Sequence, residues 1–350
     1  MAAAPARARF AKRLGLGAAL TAAFGLWLGA GAGGEDAVRW VDDLATVAAA
    51  AAATVLCALA ARRHRGRVAL SWLLFAVACA AWTLGEGIWA LYDLVLLGEV
   101  PVPSWADAAY LAALPPAAAA LLVHPALRGR ALGRTRTAVD GLVVAASIFV
   151  LGWGLVLEPL RRSTDVTSLG GLVTLAYPLS DVVILFLAVL VIRGTTDRSR
   201  FDVWCLLGGI LAIAFSDAVY TYLTSVNTYA TGNGIDAGWF GGYLAIAVGA
   251  SCSGEDRIPE RRGEARSLTT AAVVAPFVPL LAALGFTAAK VQLGGRLDGV
   301  TLAGAFALVG LVLVRQALLA IDLLVPDGDG ETSVADRIVE AVGRPARTAR

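Results

Sequence analysis

Apolar residues fill this chain in long runs separated by short polar segments, a pattern of membrane-spanning helices. Ten runs are predicted, at about 14–33, 44–61, 68–93, 108–125, 138–157, 172–192, 203–223, 238–252, 268–289 and 300–324. The expected fold class is therefore all-α, a polytopic helical membrane bundle of about ten transmembrane helices. A basic segment, 1–13, precedes the bundle (14–324), and a short disordered segment, 325–350, follows it. Gly328, Gly330, Gly343 and Pro345 argue for disorder in that last segment. The length of the first run favours a retained helix, although a basic start and a small-residue end also fit a signal peptide. Either choice puts 35–43 outside the membrane.

Composition agrees with this pattern. The hydrophobic fraction of 58% and charged fraction of 16% exclude an ordinary soluble domain, and the mean hydropathy is +0.72. The net charge of +2 says little as a total, whereas the placement of the basic residues orients the bundle. With both termini cytoplasmic, about 24 of the 29 Lys and Arg fall in inner segments and about 5 in outer ones. The outer five are Arg39, Arg161, Arg162, Lys290 and Arg296. A one-span shift would destroy this alternation, so a multi-pass protein of the cell (plasma) membrane is expected. Cys57, Cys79, Cys205 and Cys252 are isolated in apolar runs and read as small buried residues.

Carboxylates inside apolar runs are costly, so their positions are the most informative chemistry in the chain. The stretch 82–116 holds Glu86 and Asp93 seven residues apart on one helical face, then Asp107 and Tyr110 three apart. Tyr177 with Asp181, and Asp217 with Tyr220, repeat this pairing of tyrosine and carboxylate. The predicted spans put all of these in the outer half of the membrane, with no Lys or Arg at comparable depth. Each carboxyl must then be protonated, hydrogen-bonded, or open to water or a cation. Glu86, Asp93, Asp107, Tyr110, Tyr177, Asp181, Asp217 and Tyr220 are the candidate ligand-binding residues of an outer-half polar pocket. Asp181, Asp217 and Glu86 are its expected floor. The alternative is a set of structural hydrogen bonds between spans, as polar residues in bundles often make.

Other features change the picture less. Asp140, beside Arg134 and Arg136, is expected to pair with them at the inner surface. Trp40, Trp82, Trp89, Trp105 and Trp239 fit an aromatic belt at the outer interface. Pro115–Pro116, Pro178, Pro276 and Pro279 are potential helix breaks. GGED at 33–36 and DGDGE at 327–331 lack the context of a cyclase hairpin or a calcium loop. No phosphate-binding loop, HExxH or nucleophile elbow is present, so no enzymatic activity, cofactor, metal or nucleic-acid partner is expected.

Several stretches together resemble the multi-span input region of GGDEF/EAL cyclic-di-GMP signalling proteins of bacteria. They are WTLGEGIWALYDLVLLGEVPVPSWADAAYLAAL, AVDGLVVAASIFVLGWGLVLEP, LAYPLSDVVILFL, FSDAVYTYL, DAGWFGGYLAIAVGA and LVRQALLAIDLL, running from about 75 to 322. The resemblance implies an integral membrane sensory module that feeds a cytoplasmic cyclase or phosphodiesterase through its last helix. Neither a GGDEF nor an EAL signature occurs in these 350 residues, so an input module without its own output domain is expected. Arg315 and Gln316 mark the expected output helix, with Arg315 reaching toward the inner surface. Its expected partners are the lipid bilayer, an unidentified small ligand or cation, and a cytoplasmic signalling protein meeting the C-terminal region. A small-solute or ion transporter and a non-catalytic scaffold are the rival expectations.

Overall fold

A computed structural model describes residues 3–96, 100–125, 131–154, 158, 168–194, 201–226, 228–254, 277–292 and 297–324. All regular structure among these residues is helical. The expected disordered segment 325–350 lies outside the described residues, as does the start of the predicted ninth span.

Helix α1 covers Ala3–Ala30 and ends at glycines in the left-handed region, Gly31, Gly33 and Gly34. Helix α2, Glu35–Arg63, begins with Glu35 and Asp36 and closes with Arg62 and Arg63, each charge matching its end of the helix dipole. It therefore starts well before the predicted 44, because acidic residues are favourable in a first turn. Helix α3, Gly66–Leu91, continues into a π-helical turn at Tyr92–Leu96. The predicted fourth span is two helices, α4 (Trp105–Ala112) and α5 (Leu114–Val123). Pro115 and Pro116 occupy the first turn of α5, where a missing N–H costs nothing. Helices α6 (Ala131–Gly152), α7 (Leu169–Gly194), α8 (Phe201–Ser225) and α9 (Asp236–Cys252) follow. Pro178 lies within α7 without ending it. Helices α10 (Phe277–Gln292) and α11 (Gly299–Leu324) complete the described chain.

Among the described residues, seven helical stretches are long and apolar enough to cross a membrane: Ala8–Ala30, Glu35–Arg63, Gly66–Leu96, Trp105–Val123, Leu169–Ala188, Phe201–Thr224 and Gly299–Leu318. The fifth, eighth and ninth predicted spans correspond to shorter described helices. At 1.5 Å per residue, the 17 residues of α9 extend only about 25 Å. Large apolar side chains such as Leu26, Phe215, Leu281, Phe306 and Leu313 point outward on different helices, as a lipid-facing surface requires. The fold is an all-α bundle suited to a membrane.

Packing organises the helices into a closed ring and two flanks. Around the ring, α2 packs on α3, α3 on α4 and α5, α5 on α7, α7 on α8, α8 on α9, and α9 back on α2. Small residues allow these close contacts. Ala50, Ala53, Cys57 and Ala60 form a fully buried stripe on α2. Gly209 of α8 and Gly242 of α9 cross so closely that a Cβ on Gly209 would lie 2.5 Å from the Gly242 carbonyl oxygen. Ser71 Oγ donates to the Ala120 carbonyl at 2.9 Å, tying α3 to α5. Outside the ring, α1 packs on α9, while α6 packs on α7 and carries α10 and α11. That second flank has its own small core of Val143, Val150, Leu280, Ala283 and Leu308.

Candidate functional site

The ring encloses a cavity of about 120 Å³. Helix α2 contributes Asp42, Asp43 and Thr46, and α3 contributes Trp82, Glu86 and Trp89. Asp107, Tyr110 and Leu111 enter from α4, and Leu114 from α5. On the far side stand Tyr177, Ser180 and Asp181 of α7, then Asp217, Tyr220 and Thr221 of α8. Tyr229, from the α8–α9 connection, joins Asp236, Trp239 and Tyr243 of α9 to close the wall. Seven carboxyl groups thus face one small space, and no Lys, Arg or His among the described residues lines it.

Most of these carboxyls are held from a neighbouring helix. Glu86 accepts from the Tyr243 hydroxyl at 2.8 Å and from the Tyr110 hydroxyl at 3.1 Å. Tyr110 can reach Glu86 because Gly85 has no side chain: a Cβ there would sit 2.6 Å from the Tyr110 ring. Asp107 serves two purposes. One oxygen accepts from the Ser104 N–H at 2.6 Å and its hydroxyl at 3.1 Å, capping α4. The other accepts from the Tyr177 hydroxyl at 2.6 Å. Trp239 Nε1 donates to Asp217 at 2.8 Å.

Asp42 and Asp236 meet beneath the α8–α9 connection, where both accept from the Gly232 N–H, at 2.8 and 2.9 Å. Gly232 has φ +91°, a conformation that favours glycine, and this turns its N–H toward the pair. The Tyr229 hydroxyl adds a third bond, to Asp236 at 3.1 Å.

Three acidic groups are less completely satisfied. Oδ2 of Asp43 is buried and has no hydrogen-bond partner among the described residues, and Oδ1 of Asp42 has no neutral donor there, only the neighbouring Asp236 carboxyl to share a proton with. The side chains of Asp42 and Asp43 are almost wholly enclosed, with residue exposures of 3% and 7%. Asp181, beside Asp217, receives no hydrogen bond from any described residue. Such groups cost free energy unless something meets them.

Seven of the eight residues singled out from sequence line the cavity: Glu86, Asp107, Tyr110, Tyr177, Asp181, Asp217 and Tyr220. Asp93 does not. It accepts from Arg39 Nε at 3.1 Å and from a terminal guanidinium nitrogen at 2.9 Å, while its carbonyl takes a further bond at 2.8 Å. The expectation that no cation meets these carboxylates is corrected at this position, since Arg39 lies on α2 rather than in an outer loop.

Asp140 has a partner on another helix as well, while the side chains of Arg134 and Arg136, its expected partners, lie outside the described residues. It accepts from Arg315 Nε at 2.6 Å across the α6–α11 contact. Arg315 is 5% exposed and so does not reach out to the surface, whereas Gln316 beside it is exposed. The reason is register: position 315 points at α6 and position 316 away from it. Of the tryptophans assigned to a belt, Trp105 and Trp40 are exposed, at 74% and 46%, but Trp82, Trp89 and Trp239 turn into the ring.

Sequence reasoning missed Asp42, Asp43, Tyr229, Asp236 and Tyr243 as site residues. Asp42 and Asp43 were assigned to an outer loop. The signal that could have found them is the helix start after Gly33–Gly34, which brings both carboxylates into α2. Tyr243 lies seven residues after Asp236, a same-face spacing.

Among the described residues no group of three His, Cys, Asp or Glu side chains has the arrangement of a metal site. The four cysteines are buried. No protein-family model, curated protein or solved structure matches the chain.

Proposed function

We propose that this chain is the ligand-receiving input module of a membrane signalling system. In this reading it is a multi-pass plasma-membrane protein with about ten spans and both termini in the cytoplasm. The observation that carries the reading is the acidic cavity with incompletely satisfied walls. A purely structural polar cluster would satisfy its hydrogen bonds internally, whereas the buried Oδ2 of Asp43 has no partner among the described residues. Supporting the orientation, the basic residues Arg62, Arg63, Arg65 and Arg67 lie where α2 ends and α3 begins, remote from Asp42 and Asp43 near the start of α2. The cavity then opens toward the outer half of the bilayer.

Occupancy changes the relative stability of ring arrangements only if the ligand binds them differently. Ring motion has a path to α11, because α7 packs on α6 and α6 packs on α11. The resemblance of this region to GGDEF/EAL input modules supports a cyclic-di-GMP enzyme as the output partner, met near Gln316. A direct test is capture of the detergent-solubilised protein from its host membrane, followed by assay of cyclic-di-GMP turnover in the eluate. Turnover that falls with Asp43→Asn is expected. An eluate without turnover, from protein that still binds its ligand, would sink the signalling role.

A transporter is the second reading, favoured by one specific observation. The span interrupted between α4 and α5 borders the cavity at Leu111 and Leu114, and transporters use broken helices at their binding sites. Solute uptake into reconstituted vesicles would favour it.

A further inference from the structure

The ring geometry narrows the chemistry of the ligand, on the premise that the cavity receives one. The incompletely satisfied carboxyls lie on opposite walls. Asp42 and Asp43 belong to α2, and Asp181 to α7. In the ring these helices are separated by α3 with α4 and α5 on one side, and by α8 with α9 on the other.

At the α2 wall the buried Oδ2 of Asp43, without a partner among the described residues, is a specific acceptor position with Asp42 next to it. At the α7 wall Asp181 stands beside Asp217 with no donor among the described residues. The rings of Trp89, Tyr220 and Trp239 belong to the walls between, with Tyr220 5.7 Å from Trp239 and 6.2 Å from Trp89. Their faces suit methylene groups and ammonium charge.

Size gives the remaining constraint. A cavity of about 150 Å³ holds benzene. About 120 Å³ therefore takes a ligand of about five or six heavy atoms. No anion suits seven carboxyls, and a monocation would satisfy one wall only.

We propose that the ligand is a short aliphatic diamine bound as a dication, one ammonium at Asp42 and Asp43 and the other at Asp181 and Asp217. About four methylenes between the nitrogens match the volume. An ammonium offers three donors, enough for acceptors from both carboxyls of each pair.

The test is calorimetric titration of the full chain in detergent with 1,4-diaminobutane, n-butylamine and magnesium chloride. Diaminobutane is expected to bind at least about tenfold more tightly than butylamine, because only it meets both walls. Asp43→Asn and Asp181→Asn should each lower diaminobutane affinity toward that of butylamine. Equal affinity for the two amines would overturn the diamine inference and leave the cavity reading standing. Binding of magnesium without either amine would overturn it in the same way. Absence of any binding would overturn both. The comparison of amines on the unaltered chain requires no variant, so it decides even where a substituted protein fails to fold.

Discussion

In the flank formed by α6, α10 and α11, buried carboxyls meet cations. Asp140 takes a 2.6 Å bond from Arg315, and Glu158 is paired with Lys290. In the ring formed by α2–α5 and α7–α9, seven carboxyls face one cavity with no basic residue among its described lining. The donors they receive instead are Tyr and Trp side chains, Ser104 and the Gly232 N–H. An ion pair is a closed arrangement, because each charge is answered from within the fold. Carboxyls held by neutral donors keep their demand for positive charge, and that demand is available to a ligand. Arg39, a cation on ring helix α2, is held by three bonds to Asp93 and does not line the cavity. On the proposed reading the two regions divide the work: the flank uses charge for cohesion, and the ring leaves charge for recognition.

Substitution can break this comparison at either end. The largest effect is expected in the flank, where Arg315→Ala leaves Asp140 without this buried partner and should cost about 3–5 kcal/mol. Thermal unfolding in detergent would show it, and the double substitution Asp140→Leu with Arg315→Met should recover most of the loss. Next comes ring closure itself. Gly209→Ala drives a methyl group against the Gly242 carbonyl oxygen, which belongs to backbone and cannot swing aside. A loss of about 1–3 kcal/mol is expected, with diaminobutane binding weakened alongside it.

The sharpest contrast is Asp217→Asn. It keeps an acceptor for the Trp239 indole but removes one charge from a cluster of like charges. Stability should change by less than about 1 kcal/mol, or rise, while amine binding falls. If Asp217→Asn destabilised the protein as much as Arg315→Ala, the division between cohesion and recognition would be wrong.

The smallest effect concerns Asp298, at the start of α11. It accepts from the Thr301 N–H at 2.9 Å and from Trp153 Nε1 at 2.7 Å. Slight burial raises its pKa, but bonds from Thr301 and Trp153 and the charge of Lys290 outweigh that and hold the carboxyl below its ordinary value. Its contribution to stability is then fully present above the ordinary carboxylate range and is lost as pH falls through the depressed folded value. Asp298→Asn should lower stability slightly at neutral pH and flatten the acid limb of the unfolding curve.

Much of the site was legible as residue type and spacing. A carboxylate in an apolar run carries its own signal, and Asp107, Asp181 and Asp217 each had a tyrosine within one helical turn. The pairing suggested by that spacing was nevertheless different from the one formed. Tyr110 bonds Glu86 rather than Asp107, and Tyr177 bonds Asp107 rather than Asp181. Neighbours on one helix point along the same face, so a hydroxyl reaching into a closed ring meets the carboxyl of the next helix. Asp42 and Asp43 were hidden for another reason. Hydropathy marks where a helix becomes apolar, not where it begins, and α2 begins at Glu35.

What the sequence determined by itself was the all-helical, membrane-suited character of the chain and the residue types of its polar interior. These follow from local properties, since hydrophobic length and the cost of a charge in an apolar run need no knowledge of neighbours. Only the tertiary structure decided which carboxyls would share a space and which would meet a cation. Asp93 and Asp217 look alike along the chain, each an acid in an apolar run. One faces Arg39, and the other faces the cavity. That distinction depends on the closure of six packing contacts into a ring, which brings together residues from 42 to 243. Partner identity in a bundle is a property of the helices that surround a side chain, and no single helix contains it.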